Sequence, residues 1–185
     1  MCHYEDLNLI AGEKQYKIIY ADPPWSYTNK SLNKGGAERH YATMSFDEMA
    51  NIDVDGVADK DSILFMWATF PKIAEALKLI EAWGFAYKTI GFNWVKTNKN
   101  SGTPFWGMGS WTRSNSEICL IGVKGKPKRL SASVHSVIHA PIGKHSAKPP
   151  EVRDKIVELT GDLKRVELFS REKVAGWDMF GNHFT

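Results

Sequence analysis

The chain has 185 residues, 43% of them hydrophobic and 24% charged, with a formal net charge of +3 at pH 7. That suits one domain with a sizeable core, and no apolar run approaches the ~20 residues of a membrane-spanning helix. Two cysteines, Cys2 and Cys119, stand without motif spacing, which argues against a disulfide framework or a zinc site.

No basic stretch followed by an apolar one opens the chain, so a signal peptide is not expected and a reducing cytoplasm fits. The charge is uneven. Residues 1–95 carry 9 Lys and Arg against 13 Asp and Glu, giving −4; residues 96–185 carry 15 against 8, giving +7. A basic half suits a polyanion; it also suits a plain Lys-rich surface.

In chain order, Leu7, Leu9 and Ile10 form a short apolar centre that reads as a small strand or turn. Ile18–Ala21 is an apolar run that reads as a buried strand of a parallel sheet. Asp22-Pro23-Pro24-Trp25 follows directly. Neither proline can donate a ladder hydrogen bond, so the strand must stop, and Asp22 and Trp25 are delivered at its carboxyl end. In open α/β sheets ligands bind at that edge.

The tetrapeptide suits one chemistry. The amino group on a nucleobase is a poor nucleophile because its lone pair is delocalised into the ring. A site helps by accepting hydrogen bonds from both N–H groups. Asp22 offers a carboxylate, and Pro23 a carbonyl aimed by the next proline. Trp25 offers a flat face for stacking, worth about 1–3 kcal/mol per base. The carboxylate would also oppose the positive charge that grows on nitrogen. The same residues would serve a strand-ending turn with an acidic cap and a buried indole.

Residues 26–45 lack apolar periodicity. Lys30, Lys34, Arg39 and Tyr41 make this loop a candidate nucleic-acid contact and lid. Ser45 with Glu48 predicts a capped helix start. Ile63–Ala68 reads as a second buried strand, with Trp67 in the core or near a cofactor. A helix opens at Pro71 and stops at Gly84.

Lys88–Val95 alternates as a third strand. Residues 97–115 mix rings, cations and glycines. Trp106, Trp111 and Arg113 suit an unstacked nucleotide strand, unless the rings fold back on the core. Glu117–Val123 is a fourth strand. It leads into a charged turn in which Lys126, Lys128 and Arg129 are candidate phosphate contacts, a solvated turn being the alternative. Val134–His139 is a short strand, and the spacing of His135, His139 and His145 fits no strong zinc pattern, so no metal is expected. A helix runs from Pro149 or Pro150 to about Thr160, so Lys148 sits just before its N-terminus, where an anion is favoured. Arg165–Arg171 is the last predicted strand.

Asp22-Pro23-Pro24-Trp25 resembles the signature of amino-group methyltransferases that use S-adenosylmethionine, and its Trp form is similar to the MT-A70 family of N6-adenine methyltransferases. The likeness extends over about residues 17–183, through Tyr41–Met49, Trp94–Asn98, the Lys148-Pro149 pair, Arg165–Arg171, Gly176-Trp177-Asp178 and Gly181-Asn182. It implies that Asp22, Pro23, Pro24 and Trp25 are catalytic. It also implies that Asp22, Lys148, Arg171 and Asn182 bind the cofactor, with Lys148 at its carboxylate and Arg171 and Asn182 at its ribose. Lys173, Val174 and His183 depart from the family pattern.

The chain carries no Gly-x-Gly-x-x-Gly loop, and the catalytic tetrapeptide precedes the cofactor strand. The expected fold is therefore α/β: a Rossmann-like class I methyltransferase sheet, helices on both faces, circularly permuted motif order, in one domain over residues 1–185. The expected reaction is methyl transfer to the N6 amine of adenine in DNA, with RNA as the alternative, in the cytoplasm of a bacterium or phage-infected cell. A second copy or a partner subunit could complete recognition. A non-catalytic nucleic-acid-binding subunit would be expected to lose the acidic tetrapeptide. Enzymes that methylate protein glutamine resemble Asn-Pro-Pro-Tyr instead.

Overall fold

A computed structural model describes residues 15–26, 43–109, 111–143 and 147–181. Their strands are β1 (Tyr16–Ala21), β2 (Ala58–Ala68), β3 (Ala86–Thr97), β4 (Ser116–Lys124), β5 (Val137–Pro141), β6 (Arg165–Leu168) and β7 (Asp178–Phe180). They form one sheet in the order β5-β3-β4-β2-β1-β6-β7. β1 lies parallel to both β2 and β6, with Tyr20 opposite Phe65 and Glu167. β4 runs antiparallel to both of its neighbours. The remaining pairs are parallel, so the sheet is mixed through β4 alone.

Period-two alternation sends each central strand to two cores. Ile19, Ala21, Leu64, Met66 and Ala68 face one side, packed with Ala76, Leu79 and Ile80 of α3 (Ile73–Ala82). The short helices α1 (Phe46–Ala50) and α2 (Val54–Val57) lie on the same side through Met49, Val54 and Val57. Ile18, Tyr20, Ile63, Phe65 and Trp67 face the other, against Val152 and Ile156 of α4 (Glu151–Thr160). Helices thus cover both faces. Burying each of these large apolar side chains contributes about 1.5–3 kcal/mol.

Local signals held at several boundaries. Ser45 and Glu48 form a reciprocal capping box at α1. Pro71 stands in a turn of 3-10 helix that leads into α3, and Gly84, at φ +79, follows its end. α2 and β7 carry too little periodicity to be read from sequence. β7 has three residues, and it forms because β6 offers an edge.

Gly125 closes the turn after β4 at φ +66, where an added methyl would stand 2.1 Å from the Lys60 carbonyl oxygen. Gly125→Ala is expected to cost about 1–3 kcal/mol, measured as a lower denaturant midpoint with an unchanged slope.

Candidate active site

β1 ends at Ala21, and Pro23, Pro24 and Trp25 are all buried behind it. The Trp25 N–H donates to the Pro23 carbonyl at 2.9 Å, closing a three-residue turn about Pro24. The fixed φ of proline suits that turn. The Pro23 oxygen keeps its second lone pair. The Pro24 carbonyl accepts from the Met44 N–H at 3.0 Å, so the chain returns beside the tetrapeptide.

Trp25 departs from the stacking-face expectation. Its ring is 5% exposed and belongs to the core, and its Nε1 donates to the Trp67 carbonyl at 3.2 Å. It fastens the turn to β2 and presents no open face. The buried-indole alternative describes it, because an apolar pocket and a waiting carbonyl lie directly behind the turn. Trp67 is likewise core, at 1% exposure, with its Nε1 donating to the Tyr20 hydroxyl at 2.6 Å.

Asp22 stays partly open. Lys148, on the approach to α4, donates to both of its carboxylate oxygens at 2.8 Å. Lys148 also stands 3.4 Å from Glu117, at the start of β4, and Glu117 is paired in turn with Lys96. The four groups alternate in charge. Burial opposes the Glu117 carboxylate, but Lys148 and Lys96 outweigh it and hold its pKa below the usual carboxylate value. Burial also opposes the Lys148 ammonium, and Asp22 and Glu117 outweigh that, raising its pKa.

A pocket of about 190 Å³ opens beside Asp22, at the carboxyl ends of β1 and β6. Lys148, Arg171 and Glu167 are among the residues that line it. Glu167 is 7% exposed, and its carboxyl pKa is raised by burial, against the pull of Arg153. Immediately after β6, Phe169 takes φ 62, a left-handed conformation rare for a side-chain-bearing residue.

Asp22, Lys148 and Arg171 therefore meet at one pocket. Asn182, Lys30, Lys34, Arg39 and Tyr41 lie outside the described residues, as does His145. Among the described residues no group of three His, Cys, Asp or Glu side chains converges as metal ligands, and no helix is long and apolar enough to cross a membrane.

The candidate nucleic-acid residues divide. Trp106 and Trp111 stand between the carboxyl end of β3 and the start of β4, on the Asp22 edge, 62% and 99% exposed. Their rings do not fold back on the core. Arg113 accompanies them, its Nη1 against the Met108 sulfur at 3.4 Å. Lys126, Lys128 and Arg129 follow the other end of β4, where Lys124 pairs with Ser62 and Lys126 N–H donates to Asp61. Because β4 is reversed, that turn lies at the opposite edge, about 20 Å away along the strands. The turn therefore stands apart from the Asp22 edge.

A family model for MT-A70 matches residues 16–183. The chain belongs to the MT-A70 family. A type II methyltransferase of a Mycoplasma species, M.MunI, is 37% identical over 91% of this chain and 77% of its own length. A probable N(6)-adenosine-methyltransferase, MT-A70-like, of Oryza sativa subsp. japonica is 32% identical over 91% of this chain and 23% of its own length. The human N(6)-adenosine-methyltransferase catalytic subunit METTL3 is 29% identical over 97% of this chain and 29% of its own length. This MT-A70 chain thus spans most of M.MunI but under a third of those two relatives.

Glu117, Lys96, Glu167 and Arg153 went unassigned in the sequence. The usable signal was an acid inside or beside an otherwise apolar strand, since a buried charge needs a partner. Which partner could not be read.

Two outcomes follow for this MT-A70 site. Trp25→Phe leaves the Trp67 carbonyl without its donor and is expected to cost about 1–3 kcal/mol in denaturant unfolding. Glu117, with its folded pKa lowered, contributes stability above the ordinary carboxylate range that is lost as pH falls through the folded value. Glu117→Gln is therefore expected to lower the melting temperature at neutral pH, and to converge on wild type only once the pH has fallen through the lowered folded value, read by thermal melts across pH.

Proposed function

We propose that the chain transfers a methyl group from S-adenosylmethionine to the N6 amine of adenine in DNA. One observation carries this reading: the Asp22 carboxylate and the Pro23 carbonyl stand together at the strand end that borders the pocket, in a member of the MT-A70 family. The sheet supports a Rossmann-like class I methyltransferase with permuted order, since the carboxylate strand β1 precedes β6, the strand that shares the pocket. One sheet carries all of the described site, in keeping with a single methyltransferase domain.

The groups around the pocket fit the methyl donor. Lys148 and Arg171 offer cations to a carboxylate and to ribose hydroxyls; Asp22 and Glu167 offer carboxylates to an ammonium or sulfonium. Asn182 joins them by family likeness. S-adenosylmethionine, when bound, supplies a methyl group on a positively charged sulfur.

The rest belongs to this chain. Each Asp22 oxygen keeps a lone pair beyond its bond to Lys148, so the carboxylate can accept one amine N–H while the Pro23 carbonyl accepts the other. Asp22 then opposes the charge that develops on nitrogen. A duplex base must leave the stack to reach it. Trp106, Trp111 and Arg113 suit the neighbouring nucleotides, with Lys30, Lys34, Arg39 and Tyr41 as further contacts; the basic turn at Lys126, Lys128 and Arg129 is left out of this grouping.

DNA is favoured because the chain spans 77% of a type II methyltransferase. Transfer to adenosine in RNA is the second reading, favoured by the names of the plant and animal relatives. Incubation with labelled S-adenosylmethionine and a panel of DNA and RNA, then nucleoside analysis, is expected to yield N6-methyladenine in DNA. Asp22→Ala is expected to lower the yield at least about 100-fold; retained activity would remove Asp22 from the chemistry.

A further inference from the structure

We infer that Arg153 is a positioning residue for the methyl donor, tying the two walls of the pocket at a set spacing. The inference rests on the pocket being the methyl-donor site. One wall is Ala147 and Lys148, on the approach to α4. The other runs from Glu167, on β6, to Glu172 in the turn beyond. α4 shares no sheet ladder with β6, so side chains must set the distance between them.

Arg153 does this from the first turn of α4. Its Nε donates to Glu167 Oε2 at 2.7 Å and its Nη2 to Oε1 at 2.9 Å. Its Nη1 reaches Glu172 Oε1 at 3.1 Å. Glu167 sits opposite Tyr20 in the β1–β6 register, two residues before Asp22, so the tie also reaches the carboxylate strand.

The Arg153 and Glu167 side chains are 14% and 9% exposed, so the fork is largely shielded from water. Two parallel N–H···O bonds fix angle as well as length. A lysine ammonium is a point charge on a flexible stem and cannot hold both oxygens in one plane. Arg153 itself lines the pocket between the two walls, and its guanidinium is turned to Glu167 and Glu172.

The test uses the full chain, with S-adenosylmethionine and S-adenosylhomocysteine titrated by calorimetry. Arg153→Lys keeps the charge that balances Glu167. Both dissociation constants are expected to rise about tenfold, while the melting temperature and the KM for DNA hold. An equal loss for two ligands that differ by one positive charge rules out a charge effect at the sulfur and is the result expected of a changed spacing.

Unchanged dissociation constants, with or without a lower melting temperature, would overturn the inference. Glu172→Gln is a second variant at a side chain 65% exposed, and it weakens one arm of the fork without touching the buried pair. About a threefold rise is expected there, and no rise counts against the tie. A wild-type protein that binds neither ligand removes the methyl-donor reading itself; one that binds both, with Arg153→Lys matching it, removes only the role of Arg153.

Discussion

The carboxylate of Asp22 and the ammonium of Lys148 meet at two distances of 2.8 Å, across 126 positions of chain. Everything at the carboxyl edge of the sheet is arranged around that contact. Its net worth to stability is small, since taking two charges out of water costs about as much as their attraction returns. Its structural effect is larger, because it joins two segments distant in the chain, with Glu117 as the second partner of Lys148 at 3.4 Å. It holds the approach to α4 against the end of β1, and so closes one side of the pocket.

The pair is also part of a longer alternation. Lys148 and Lys96 share Glu117 between them, and each ammonium lies near an indole: Lys148 is 5.7 Å from the Trp67 ring and Lys96 is 5.0 Å from the Trp94 ring. Those two rings meet edge to face at 6.4 Å. Cation–ring attraction adds about 0.5–2 kcal/mol per contact, and the rings make a stiff floor. Charges that would wander on flexible stems are thereby held in one order. A site that must hold a weak nucleophile in place benefits from such stiffness more than from extra affinity.

The reversal of β4 sorts the surface. The segment with Trp106 and Trp111 leaves at the Asp22 edge, and the lysine-rich turn leaves at the other. A net charge summed over half a chain is blind to this division. Two basic or aromatic stretches close in sequence are separated by the length of a strand.

What the sequence determined by itself was local. An apolar run stopped by two prolines placed Asp22 at a strand end, Ser45 with Glu48 capped a helix, and Gly84 ended another. Each depends on neighbours a few residues away, whose backbone limits are the same in any fold. Tertiary structure alone decided what each side chain met. Trp25 became a fastener because the Trp67 carbonyl waited behind it, Glu117 joined the site because a reversed strand began there, and Arg153 found Glu167 because α4 packs across β6. Contacts of that kind depend on the register and direction of distant strands, and the alternation of apolar residues does not encode them.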